Sequence, residues 1–350
     1  MSSIVAASLP KVVENEEQLD DVLTRPRTCL VEFVKTLQSP LLILGAGGKM
    51  GPSLAVLCRR AADAAGHKLE IIAVSRYSNA AIRPRLEERG VKTVECDLLE
   101  RDAVKRLPDA ENIIYLVGLK FGTSDNPSLT WAMNTLVPAH VAGRYPAARI
   151  TALSSGNVYP LAPVHSGGSV ETDALTPLGE YANACVARER IFEFFSLRNG
   201  TRVALVRLNY AVELRYGVLV DIAQRVYAGQ PVGVNTGYLN CIWQGDANEF
   251  IVRSLALANT PPAVLNLTGQ TELSVSKLAA RFGELMGRTP RIAGTESATA
   301  LLSNPARILA LLGELPTPLE AVLRWTAHWV MRGGRTLGKP THFEVRDGNY

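Results

Sequence analysis

The stretch Leu41–Ala55, LLILGAGGKMGPSLA, decides how the rest of the chain is read. Four apolar residues in a row suit a strand buried on both faces. Glycines follow at 45, 48 and 51, and a helical pattern starts directly after them. Glycine is wanted in such a loop because a side chain would hold a pyrophosphate away from the backbone N–H groups. The helix that follows turns its partial positive N-terminus toward the same anion. The expected reading is a dinucleotide-phosphate site at Gly45, Gly48, Lys49, Met50 and Gly51. A tight strand–helix turn without a ligand is the alternative.

Outward from this loop the chain repeats the same rhythm. LEIIAVS (69–75), KTVEC (92–96), NIIYLVG (112–118), ARITALSS (148–155) and RVALVRL (202–208) are short runs rich in Val, Ile and Leu. Amphipathic segments separate them, such as GPSLAVLCRRAADAAG (51–66), which Gly66 can stop. Strand–helix alternation at this spacing predicts an α/β fold, a Rossmann-type doubly wound parallel sheet with helices on both faces. Residues 1–39 read as a helical extension and 40–210 as the dinucleotide-binding domain. Residues 211–332 read as a smaller mixed α/β lobe interleaved with that domain. The tail, 333–350, is polar and Gly-rich and is expected to run over the surface.

Composition narrows the function. Lysine and arginine exceed the acids by 37 − 33 = 4, without a basic run, so no nucleic-acid partner is expected. The five cysteines are scattered without a C-x-x-C pair, and the five histidines show no ligand spacing. No disulfide framework and no metal site is expected, and a reducing compartment is. No segment approaches the ~18 apolar residues of a membrane span. The early acidic run NEEQLDD is unlike a signal peptide, so the expected location is cytoplasmic.

The end of the second strand reports on the cofactor. A carboxylate there would accept from the ribose 2′-OH of NAD. The sequence has Ser75 and Arg76 instead, a hydroxyl and a guanidinium suited to a 2′-phosphate. NADP is the preferred expectation and NAD the second. A surface arginine with no such role is the alternative for Arg76.

From Leu41 to Gly287 the chain resembles the extended short-chain dehydrogenases/reductases, the family of nucleotide-sugar epimerases and dehydratases. ECDLLERD (95–102) is similar to the Asp-Leu segment after the third strand, which implies Asp97 and Leu98 beside the adenine. IIYLVGLKFG (113–122) resembles the fourth-strand end, implying Val117, Gly118 and Lys120 near the cofactor. MNTLVPAHV (133–141) resembles the helix with a structural Asn, here Asn134. ALSSGNVYP (152–160) is similar to SSxxVYG, which puts Ser155 at the catalytic Ser/Thr position and Asn157 near the substrate. VRLNYAVELR (206–215) resembles R-x-x-N-x-x-G, with Arg207 and Asn209 as candidate contacts. NCIWQGDANEFIVRSLALA (240–258) resembles the later VHVDDVA segment, with Trp243 and Asp246 in place.

Tyr181 stands where the family's Y-x-x-x-K begins, but YANAC puts Cys185 in the lysine position. At a pKa near 10, only ~0.1% of a phenol is ionised at neutral pH, which is why a neighbouring ammonium matters. The lysine implied by the resemblance would also hold the nicotinamide ribose. Cysteine brings no charge and only a weak donor. Three readings follow. Lys120 or Arg188 takes over as the cation; Tyr181 acts as a neutral donor, as in a lyase or isomerase; or the site is degenerate and the protein is an NADP-binding sensor or scaffold. Cys185 as a nucleophile is a further alternative, beside its bland reading as a small packing residue.

The resemblance implies a sugar, sugar acid or nucleotide-sugar under the second lobe, with Asn209, Tyr210, Arg215, Asn240, Trp243 and Gln244 as candidate polar groups. It also implies a homodimer built from the helices near 127–145 and 180–198.

Overall fold

The computed structural model describes residues 9–119, 125–339 and 341–348. Seven parallel strands make the central sheet: β1 (Leu41–Leu44), β2 (Ile71–Ser75), β3 (Lys92–Glu95), β4 (Asn112–Tyr115), β5 (Arg149–Ser155), β6 (Arg202–Leu208) and β7 (Ala263–Leu267). Their order across the sheet is β7-β6-β5-β4-β1-β2-β3, a Rossmann-type arrangement as expected. It reverses between β1 and β4, where strand ends splay apart and leave a crevice.

Alternation along β1 shows how both faces are covered. Leu41 and Ile43 join a core with the helices Gly51–Ala64 and Gln244–Arg253, while Leu42 and Leu44 join a core under the helices Pro127–Arg144 and Gly179–Asn199. Each strand side chain therefore loses its water whichever way it points, so an unbroken apolar run is the stable choice.

β7 arises from PPAVLNLTG, a stretch read from sequence as part of the second lobe. It pairs in parallel with β6, Ala263 opposite Ala204 and Leu267 opposite Leu208. After β6 the chain forms the lobe helix Val218–Tyr227, returns to the sheet as β7, and then adds the lobe helices Val275–Met286 and Leu319–Met331. The lobe has its own core around Trp325, Phe282 and Leu219, between the helices Val218–Tyr227, Val275–Met286 and Leu319–Met331.

The described part of the N-terminal extension, residues 9–39, for which the sequence indicated no purpose, packs against both parts. Leu30, Val34 and Leu37 enter the core under Gly51–Ala64. Arg27 pairs with Glu249, Arg60 reaches Asp21 at 2.8 Å, and Arg215 reaches Glu16 and Asp20 at 3.2 and 3.3 Å. The extension thus clips the lobe to the sheet domain.

Residues 333–339 of the tail are mostly exposed, as its polarity led us to expect, but 341–348 are tied down. Phe343 is 2% exposed within the lobe core. Asp221 accepts from both the backbone N–H and the hydroxyl of Thr341, and Arg346 donates to the Thr299 carbonyl at 2.7 Å. One aromatic side chain and a few polar anchors suffice to hold a Gly-rich segment down. No helix among the described residues is long and apolar enough to cross a membrane.

Candidate active site

The glycine loop is shaped by close approach. Gly45 has φ +83°, and a Cβ there would sit 2.9 Å from the backbone nitrogen of Val117. A Cβ on Gly51 would sit 2.3 Å from the Ala46 carbonyl oxygen, so the helix can start only with glycine. Gly48 N–H donates to the Gly45 carbonyl at 3.1 Å and closes the turn. Gly47, which sequence reasoning passed over, is equally constrained, because a Cβ would lie 2.4 Å from Ser75 Oγ. Its signal was there: it faces the end of β2, where the adjacent strand comes closest. The cradle is one that side chains would fill, and it fits a pyrophosphate. Lys49 crosses the crevice, donating to the Ala211 carbonyl at 2.7 Å and lying 4.0 Å from the centre of the Tyr216 ring.

At the far end of the crevice Ser75 finishes β2 beneath the loop. Arg76 is exposed and faces Asp97, 3.8 Å away. Asp97 accepts from the Leu99 N–H at 3.0 Å, and Leu98 is buried. The carboxylate in this corner therefore comes from the end of β3, not β2.

Opposite the glycine loop, a crevice of about 1060 Å³, counted to its open mouth, is floored by Ser155, Asn157, Tyr181 and Asn209, with Gly118 at one side. Ser155 ends β5, accepts from the Asn157 N–H at 3.2 Å and donates to Asn157 Oδ1 at 3.0 Å. Tyr181, near the start of Gly179–Asn199, hydrogen-bonds with Ser155 and with Cys185. Burial pushes the Tyr181 phenol well above the ordinary tyrosine range; Cys185 pushes the same way and Arg188 opposes them. The phenol is therefore held protonated.

Cys185 is fully buried, with Val158 and Tyr159 packed about it. Arg188, one turn on, donates to Cys185 Sγ at 3.4 Å and through Nε to Asn134 Oδ1 at 3.0 Å. Asn134 in turn donates to the Thr130 carbonyl at 2.7 Å, so the structural Asn implied by the resemblance is a holder of Arg188. Lys120 lies outside the described residues.

Other candidates are placed elsewhere. Arg207 makes a 2.7 Å ion pair with Glu189, both nearly inaccessible, and donates to the Tyr159 hydroxyl at 2.7 Å. Arg215 is engaged by Glu213 and the N-terminal extension. Trp243 stacks edge-on to Trp325, 5.4 Å between ring centres, inside the lobe core. Asp246 accepts from the Thr317 hydroxyl at 2.8 Å, and Gln244 donates to Ser53 Oγ at 3.0 Å. Asn209 donates to Asn240 Oδ1 at 3.0 Å, and Asn240 to the Ser303 carbonyl at 2.6 Å, which ties the crevice floor to the 301–303 loop. Tyr210 borders the crevice with φ +41°, an uncommon conformation for a tyrosine. Beyond it a smaller hollow is bounded by Asn157 and Tyr210 on one side and by Phe343 and Arg346 of the tail on the other. Sequence reasoning missed the tail here, because nothing local marks it as part of a site. Among the described residues no group of three or more His, Cys, Asp or Glu side chains is placed to hold a metal ion.

Comparison with known proteins agrees with this fold. The model of the NAD dependent epimerase/dehydratase family matches residues 41–232. Among solved structures, the chain is similar to a UDP-glucose 4-epimerase from Thermotoga maritima solved with UDP-glucose, at TM-score 0.69 and 16% identity, over 84% of this chain and 99% of that one. It is similar to a UDP-glucuronic acid 4-epimerase from Bacillus cereus in complex with NAD, at TM-score 0.69 and 14% identity, over 84% of this chain and 96% of that one. A dTDP-glucose 4,6-dehydratase from Bacillus anthracis in complex with NAD is similar at TM-score 0.71 and 14% identity, over 84% of this chain and 97% of that one. At these identities the likeness is one of fold. No curated protein sequence matches the chain.

Proposed function

The chain belongs to the NAD dependent epimerase/dehydratase family, a family of nicotinamide-dependent enzymes, and we propose that it acts on a carbohydrate-like substrate with Tyr181 and Ser155 as its proton-handling pair. The class of substrate is a sugar, sugar acid or nucleotide-sugar, as the UDP-glucose bound to one similar structure and the name of another support. The observation that carries the reading is the hydrogen bond between Tyr181 and Ser155 on the crevice floor, across from the glycine loop.

A nicotinamide dinucleotide supplies reversible hydride transfer to and from a substrate carbon. Gly45, Gly48 and Gly51 and the helix after them would hold its phosphates by backbone N–H groups. Ser155 Oγ would fix the substrate oxygen, and Tyr181 Oη would give that oxygen its proton or take it away. A phenol held protonated is a better donor than acceptor at neutral pH, so this floor favours protonating a developing alkoxide. Asn157, bonded both ways to Ser155, sets the direction of that hydroxyl.

NADP preference is part of the proposal. Arg76 supports it, exposed at the end of β2, which itself carries no acid; the nearby Asp97 comes from beyond β3. The test is a fluorescence titration with NADPH and NADH after removal of bound nucleotide. NADPH is expected to bind at least about tenfold more tightly, a difference of ~1.4 kcal/mol, with Arg76→Ala removing the difference. Turnover of UDP-sugars, free sugars or sugar acids should follow. Tight binding with no turnover on any of them would instead favour a nucleotide sensor, and binding of neither nucleotide would refute both readings.

A homodimer is the second part. Trp131 and Leu136 on Pro127–Arg144, and Phe194 and Leu197 on Gly179–Asn199, are 40–62% exposed, more apolar surface than a helix pair usually leaves in water. Sedimentation is expected to give twice the chain mass, and Leu136→Glu with Leu197→Glu to give the monomer. A monomeric wild type would refute the interface.

A further inference from the structure

Position 185 carries a thiol, but the space behind Tyr181 is not without charge. Arg188 lies seven residues past Tyr181, two turns on along the same helical face. It is 4% exposed. Its Nη1 donates to the Leu153 carbonyl, Nε and Nη2 donate to Asn134 Oδ1, and Nη2 also meets Cys185 Sγ at 3.4 Å. Among the described residues no carboxylate forms an ion pair with it; the adjacent Glu189 is taken by Arg207. Gly118 thins the crevice wall in front of it, since a Cβ there would lie 3.1 Å from Nη2. A buried guanidinium held by neutral acceptors keeps a field that a carboxylate partner would cancel.

We propose that Arg188 is the positioning cation of this site, its charge acting on Tyr181 across the Cys185 thiol, so that the guanidinium takes the part of the lysine. The inference rests on Tyr181 as the proton-handling group. Arg188 donates to the sulfur and sets its positive charge against the upward push that burial and Cys185 exert on the Tyr181 phenol. When the Tyr181 proton passes to a substrate oxygen, that charge stabilises the phenolate left behind; no bond to carbon or sulfur changes. The arrangement also accounts for the missing lysine. A second cation at 185 would be buried against Arg188 with no counter-charge.

Other groups facing Tyr181 are Ser155 from the end of β5 and, behind Cys185 and Arg188, Tyr115 from β4, whose buried hydroxyl has no partner among the described residues. The decisive experiment reads the ionisation of position 181 directly, so its outcome is independent of whether turnover is found. A ring-fluorinated tyrosine placed at 181, whose lower pKa brings the titration into range, is followed by ¹⁹F NMR against pH. Arg188→Met is expected to raise its midpoint by about one unit or more, a tenfold change in proton affinity, with Arg188→Lys recovering part of it. Cys185→Ala leaves the Arg188 bonds to Asn134 and Leu153 in place, removes the sulfur that pushes the phenol up, and should lower the midpoint. If Arg188→Met does not fold, Arg188→Gln carries the test. Cys185→Lys should lower Tm by itself and be tolerated with Arg188→Met. An unmoved midpoint in the folded Arg188 variants, a raised one in Cys185→Ala, or a shift produced by Lys120→Ala in their place, overturns the proposal.

Discussion

Tyr181→Phe is expected to reduce turnover by about 10²- to 10⁴-fold and to leave dinucleotide affinity within about twofold of wild type. The substitution removes one oxygen at the crevice floor and leaves the ring packed where it is. Its hydroxyl is the group that can hand a proton to a substrate oxygen beside Ser155, with which it already bonds. The phosphate cradle lies on the opposite wall and does not depend on it. Steady-state kinetics on the substrate found by screening, together with the NADPH titration, checks both halves. Full activity in the Phe variant would remove Tyr181 from the chemistry; loss of nucleotide binding together with turnover would mean that the hydroxyl holds the cofactor.

Arg207→Met is expected to destabilise the fold by about 3–5 kcal/mol, because it strands the buried Glu189 carboxylate. Both side chains are almost completely inaccessible, at 5% and 3% exposure, and 2.7 Å apart. Glu189 also accepts from Ser154 Oγ, and Arg207 donates to Tyr159, which bonds Asn266 on β7 at 2.8 Å. The pair thus joins the helix that carries Tyr181 to three strands of the sheet. Urea denaturation measures the cost. The double variant Arg207→Met with Glu189→Gln should recover a good part of it, since no charge is then left unpaired. Equal losses in the single and double variants would show that the pair's packing matters and its charge does not.

These two residues divide what was legible from what was not. Tyr181 and Ser155 were readable because each sits at a fixed offset in a local pattern, one at a helix start and one at a strand end. Arg207 and Arg215 were read as candidate ligand contacts on equally good local grounds. The fold turns one to Glu189 and the other to Glu213 and an extension some two hundred positions earlier in the chain. Trp243, similarly, looked like a pocket aromatic and lies in the lobe core against Trp325. A long side chain reaches several ångströms in many directions, and its partner depends on which distant segment is folded beside it.

By itself, the sequence determined the parallel sheet, the glycine loop and the positions of Ser155 and Tyr181, because burial on two faces, tight turns and helical spacing are requirements of neighbouring residues. Tertiary structure alone decided that PPAVLNLTG would return to the sheet as β7, that the polar tail would bury Phe343, and that Arg188 would come to rest behind Cys185 without a carboxylate to neutralise it. Those outcomes depend on contacts between segments far apart in the chain, where the energy comes from excluding water and matching charge across a fold.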